Sequence, residues 1–207
     1  MREITKPFEN RAFLEMLKVA KERLCSKTCD EIISKANMEF DPETSQFRTS
    51  SLGETIRVSY PKFDMTPKIQ QWHHLVILHY MEMADGTPLS ARQITFSELP
   101  GGLARGGNFD RKCEGIISQK LGDKQPEIVQ KACEVLGAQI IPSNADLCAI
   151  FPFLPMYPVT LKIWFADDEL HGTGRLLLNA SADHYLSTED AVTVGELVLN
   201  ALVDKYR

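Results

Sequence analysis

The sequence predicts an α+β fold forming a single domain over residues 1–207, and three observations carry that expectation. Apolar residues recur three or four apart through most of the first two thirds, the period of amphipathic helices. One helix in the middle of the chain is apolar almost all round, which places it inside. The last third is cut by prolines into short apolar runs, and short neighbouring strands without intervening helices pair antiparallel. The expected architecture is N-terminal helices and a hairpin, a central buried helix, and a C-terminal antiparallel sheet closed by a helix. At 207 residues and 43% hydrophobic, the chain can bury a sufficient core without disulfides or metal.

Each element has its own local signal. From Phe8 onward, Phe13, Met16, Leu17, Ala20 and Leu24 keep helical spacing, with Glu15, Lys18, Lys21 and Glu22 between them. Thr28 with Glu31 fits a capping box, which starts a second helix carrying Ile32, Ile33 and Ala36. Residues 46–51 and 54–60, joined by Leu52-Gly53, read as a hairpin. Thr66-Pro67 offers a cap and a first-turn proline for the central helix. On that helix Ile69, Trp72, Val76, His79, Tyr80 and Met83 share a face, Leu75, Ile77 and Leu78 fill the rest, and Asp85-Gly86 follows. After Ile94-Thr95-Phe96, four glycines between Gly101 and Gly107 predict a loop. Helices are then expected over 110–121 and 126–136, the second stopped by Gly137. Strands are expected over 138–141, 147–151, 159–165 and 174–179, with Pro142, Pro152, Pro155 and Pro158 as breaks. In the third strand Val159, Leu161, Ile163 and Phe165 share one face, opposite Thr160, Lys162 and Trp164. Ser187, with Asp190 three positions later, caps a closing helix that carries Val194, Leu197, Val198, Ala201 and Leu202.

Composition narrows the function classes. Lys plus Arg total 23 against 28 Asp plus Glu, and no basic run offers a footprint for nucleic acid or for an anionic membrane surface. No stretch reaches the roughly 18 apolar residues of a membrane-spanning helix. Charged residues interrupt the first 20 positions, so there is no signal-peptide core, and the five cysteines read as reduced thiols. A cytoplasmic location is expected.

Several residues carry possible chemistry. Cys25 and Cys29 are four apart, a spacing that on one helix brings two thiols to one face, but the cap at Thr28 separates them. Cys29, in a first helical turn, is a candidate for a lowered thiol pKa against the alternative of a small half-buried apolar residue. His73, His74 and His79 share the central helix at spacings of five and six, which stack no pair on one face. His79 therefore reads as a core histidine with a backbone or carboxylate partner, or as a ligand-binding imidazole. Gly101, Gly102, Gly106 and Gly107, with Arg105 among them, read either as a mobile connector or as a loop whose backbone approaches an anion. Asp167, Asp168, Glu169 and His171 precede one strand, and Asp183, His184, Glu189 and Asp190 follow it. Asp168, Asp183 and His184 are the candidate metal ligands, if the chain folds back to join the two ends.

Two longer segments carry a family resemblance: Trp164-Phe165-Ala166-Asp167-Asp168-Glu169-Leu170, and 176–190, which closes on His184-Tyr185-Leu186-Ser187-Thr188-Glu189-Asp190. Together with Leu78-His79-Tyr80 and Thr95 to Gly102, they resemble domain-of-unknown-function family 3786, an uncharacterised prokaryotic family. The chain departs from that pattern at Leu170-His171 and at Leu177-Leu178-Asn179. The resemblance brings no reaction. It implies an association with anaerobes, and an accessory role near corrinoid or iron–sulfur proteins in one-carbon or redox metabolism. This chain has no four-cysteine cluster pattern of its own.

The leading expectation is a cytoplasmic accessory or small-ligand-binding module. Its pocket is expected between the central helix and the C-terminal sheet, lined by Trp72, His79, Gly101, Gly102, Arg105 and Trp164. No cofactor is identified. The rival is a metal-dependent hydrolase or transferase using Asp168, Asp183 and His184, and a third possibility is a structural subunit that binds a protein partner.

Overall fold

The structure is a computed structural model that describes residues 11–206. Phe8, where the first helix is expected to begin, lies outside the described residues, and α1 (Arg11–Leu24) buries Phe13, Ala20 and Leu24. In α2 (Cys29–Ala36) the expected capping box is present: the Glu31 N–H donates to Thr28 Oγ1 at 3.2 Å, and the Thr28 N–H donates to the Glu31 carboxylate at 2.9 Å.

The hairpin belongs to a larger sheet. β1 (Glu39–Asp41), β2 (Gln46–Ser51), β3 (Glu54–Ser59) and β4 (Met65–Thr66) form an antiparallel meander in that order. Leu52 and Gly53 both take positive φ, 50° and 80°, the turn whose twist matches the strands it joins. Phe47, Ile56 and Val58 face the core. Thr66 does not cap the central helix: its backbone pairs with Arg57 in the sheet, and α3 (Gln71–Met83) starts five residues later. The cap is Gln70, whose Oε1 accepts from the His73 N–H at 2.8 Å. The helix is buried on nearly every side, from Leu75 through Leu78 to Tyr80 and Met81.

β5 (Gln93–Ile94), β6 (Gln139–Ile140), β7 (Leu147–Leu154), β8 (Tyr157–Trp164) and β9 (Thr173–Asn179) form the second antiparallel sheet, in the order β5-β9-β8-β7-β6. The alternation expected in β8 holds for Val159, Leu161 and Ile163, buried on one face; Thr160 on the other face is buried too, and Phe165 lies beyond the strand end. Pro152 and Pro158 do not break the strands; they oppose each other at a register shift. There β7 has run past its β6 partner and β8 past β9, so neither missing N–H deprives an outer neighbour of a ladder bond.

The largest departure from expectation is the glycine stretch, which is helix and not loop. α4 (Gly102–Ile117) begins inside it and ends in a π-helical turn, Ser118–Gly122. A Cβ at Gly102 would lie 2.4 Å from the Phe96 carbonyl oxygen, and one at Gly106 would lie 2.1 Å from it. Asp110, four residues further along the same stripe, accepts from the Phe96 and Ser97 N–H groups at 3.0 Å each. The glycines let a helix backbone press onto the 3₁₀ turn at Phe96–Glu98. Only Gly101 uses the left-handed region, at φ 71°, to open the helix.

α5 (Pro126–Val135) stops before Gly137, which takes φ 81° as expected. α6 (Thr188–Tyr206) packs on α3, α4 and α5. Ser187 caps it, its Oγ accepting from the Asp190 N–H at 3.1 Å. Among the described residues no helix is long and apolar enough to cross a membrane.

Candidate ligand cleft

α3 and α6 run antiparallel, and a cleft opens where the start of α3 meets the end of α6. Its volume is about 470 Å³, and the β2–β3 turn, the approach to α3 and Leu136 complete its walls. Ile56, Ile69, Leu52, Leu136 and Ala201 supply apolar surface, and Glu54, Lys68, Asp204 and Lys205 charge the rim.

Two buried polar side chains meet at its wall. Ser51 is 1% exposed and His73 7%, with Ser51 Oγ 2.8 Å from His73 Nε2. The His73 ring also lies against Phe153, with centroids 5.1 Å apart. Burial, and secondarily the charge of His74, push the His73 pKa down to about 4, so the imidazole is neutral near pH 7. Its Nδ1 has no hydrogen-bond partner among the described residues. A serine beside a neutral imidazole resembles a nucleophile and base; among the described residues no carboxylate orients Nδ1, and Ser51 is buried.

The opposite end of the helix pair is a polar junction. His79 donates from Nδ1 to Asp190 Oδ1 at 2.8 Å, and Asp190 Oδ2 accepts from Ser187 Oγ at 2.7 Å. Burial works against the charged His79 ring, but the bond and charge of Asp190 outweigh it and its pKa is raised. Tyr80 and Tyr185 stack beside the junction at 5.6 Å, and Thr188 Oγ1 donates to the Pro100 carbonyl at 3.0 Å. His184 Nδ1 is 2.7 Å from Asp85 Oδ2, and the Asp85 carboxyl is held at about 2 by its bonds to His184 and Thr87. The junction fixes α3 against α6, and so sets the walls of the cleft at their far ends. In Asp190→Ala, folding stability falls by about 2 kcal/mol and the His79 pKa drops below 6.5, because burial, the largest influence, then outweighs the weaker pull of Glu82 and is aided by Arg23. Chemical denaturation and an NMR titration of His79 measure both.

The pocket residues expected from sequence do not assemble. Trp72 packs edge-on against Phe13 of α1 at 5.5 Å, whereas Trp164 donates from Nε1 to the Asn144 carbonyl at 3.0 Å. Arg105 lies on the exposed side of α4, and Gly102 is sealed against Phe96. His79 and Gly101 come nearest to a common site, through the Asp190 and Pro100 contacts at the head of α6. Of the metal candidates, Asp168 lies in the β8–β9 connection, whereas Asp183 and His184 follow the other end of β9. Among the described residues no three His, Cys, Asp or Glu side chains are grouped to hold a metal ion. The Cys29 thiol is raised, not lowered, chiefly by burial.

Sequence reasoning missed Ser51 and weighed His73 only against the other histidines of α3. One signal was available: in β2, Phe47, Thr49 and Ser51 share the inward face, so two of its three inward residues are polar.

Fold and cleft together define a small α+β protein with two antiparallel sheets and a ligand-sized cleft between a helix pair and a hairpin. The segments Leu78-His79-Tyr80, Thr95 to Gly102 and His184 to Asp190 converge on the junction behind that cleft. The chain belongs to the family described as a domain of unknown function (DUF3786), whose model matches residues 28–201. That span runs from the cap of α2 into α6 and stops short of Asp204 and Lys205. No curated protein and no solved structure matches the chain.

Proposed function

We propose that this protein is a cytoplasmic small-ligand-binding module whose ligand occupies the cleft between the β2–β3 turn, the start of α3 and the end of α6. The observation that carries this reading is the Ser51–His73 pair, a hydrogen-bonded polar couple buried in the wall of a cleft lined by both apolar and charged residues. Apolar surface from Leu52, Ile56, Ile69, Leu136 and Ala201 beside a few placed polar groups is a make-up that small-ligand sites use. About 470 Å³ is the liquid volume of roughly 15 waters, which suits a metabolite of about ten to twenty heavy atoms rather than a corrin ring. An accessory role in one-carbon or redox metabolism fits a binder of small metabolites. The metal-dependent alternative draws no support from the placement of Asp168, Asp183 and His184.

The test is a melting screen with small metabolites, carrying nucleotides, flavins, haem and corrinoids as larger comparators. A ligand at 100 times its Kd stabilises by about 2.7 kcal/mol, or roughly 5–10 °C in a chain of this size. We expect such a shift from a small metabolite and its loss in Ala201→Phe, which fills the cleft from α6. A screen in which only the large comparators bind, or in which Ala201→Phe binds unchanged, sinks the reading.

A further inference from the structure

We propose that the cleft selects a small uncharged alcohol, its hydroxyl bonded to His73 Nδ1 and its carbon chain against Ile56, Leu136 and Ala201; this rests on the small-ligand reading above. The first observation is where the charges sit. Glu54 and Asp204 stand against Lys68 and Lys205, so the lining carries no net charge, and all four residues are exposed. Water screens charges placed there, and such a rim favours neither an anion nor a cation. The second observation is what lies deeper. The polar side chains buried in the wall are Ser51 and His73, and burial keeps the imidazole uncharged near pH 7. A charged group brought against this pair would give up its water for neutral partners, whereas a hydroxyl exchanges one hydrogen bond for another.

The third observation concerns one atom. His73 Nδ1 has no hydrogen-bond partner among the described residues, yet it is not sealed away from solvent, so it is open to a molecule in the cleft that the ring lines. The bond to Ser51 is compatible with two tautomers. If Ser51 donates to Nε2, the ring proton is on Nδ1, which then donates; if Nε2–H donates to Ser51, Nδ1 accepts. A hydroxyl both donates and accepts through a single atom, so it completes the ring in either state. A carboxylate serves only the first state and an ammonium only the second. An amide serves both through two different atoms, and a single ring nitrogen leaves one of them without a partner.

Hexan-1-ol tests this against four probes of similar length: hexanamide, hexanoate, hexylammonium and the zwitterion 6-aminohexanoate. Affinities are read by NMR titration at pH 7, with the ring nitrogens of His73 labelled with nitrogen-15. Hexan-1-ol is expected to bind about ten-fold more tightly than any charged probe, because a charge beside Nδ1 is desolvated without a countercharge. Its binding should move the His73 Nδ1 resonance, a response that attachment elsewhere on the surface would not give. If any of the other four binds as tightly as hexan-1-ol, or if hexan-1-ol binds and the His73 ring resonances stay in place, the alcohol assignment is overturned while the small-ligand reading stands. If no probe binds, the alcohol assignment also falls, and a blank metabolite screen beside it brings down both readings.

Discussion

Gly106→Ala lowers folding stability by more than about 3 kcal/mol, whereas Gly115→Ala in the same helix raises it by about 0.5–1 kcal/mol. Alanine is the better helix former, so propensity alone predicts a gain at both positions. The difference lies in what a methyl group meets. At Gly115 nothing lies within 4 Å, but at Gly106 the new Cβ would sit 2.1 Å from the Phe96 carbonyl oxygen. That oxygen belongs to backbone tied to the same helix face by Asp110, so it cannot yield as a flexible side chain would. Relief requires α4 to lift from the 3₁₀ turn, with loss of packing around Phe109 and Cys113. Denaturant melts of the two variants decide the matter. A neutral Gly106→Ala would mean that the stretch is the loop its composition suggests.

The second large effect is acid destabilisation through His73. Its folded pKa is about 4 against an ordinary 6.5, because burial opposes the charged ring. Above pH 6.5 the ring is neutral in both folded and unfolded chains, and its full contribution is present. As pH falls from 6.5 toward 4 the unfolded chain takes up the proton and the folded one does not, so stability drops, by about 3 kcal/mol across the window. His74, also lowered, acts in the same direction. His79 acts in a different window: its pKa is raised, so its contribution is complete below 6.5 and is lost as pH rises through its folded value. His73→Gln, which retains a polar partner for Ser51, should flatten the slope between pH 6.5 and 4. An unchanged slope would place the acid sensitivity elsewhere.

What was legible in the sequence was mainly what is decided over a few residues. The Thr28–Glu31 box, the Ser187 cap, the Gly137 stop and the alternation of β8 each involve groups within one turn or one strand, and each is found where expected. The glycine stretch was misread because glycine's local preference points away from helix, while the reason for these glycines is a carbonyl six and ten residues upstream. Their spacing of four, continued by Asp110, was the trace of a close-packed helix face. The site was harder still. Ser51 and His73 are 22 residues apart on a strand and a helix, and Asp190 is 111 residues from His79. Nothing in local pattern pairs them, so the expected pocket gathered conspicuous aromatic and glycine residues that the fold keeps apart.

The outer strands of the two sheets have a consequence for solution behaviour. β1 has three residues, and β4, β5 and β6 have two each, so all four rims are short. An extended segment from another molecule would find at most a few free backbone groups in register before the ladder ended. The long strands, β7 and β8, lie inside their sheet, each with a neighbour on both sides over part of its length. The four outer strands thus offer little template for strand addition, whereas β9 beyond its two-residue partner β5 keeps an outer edge with no strand beside it among the described residues.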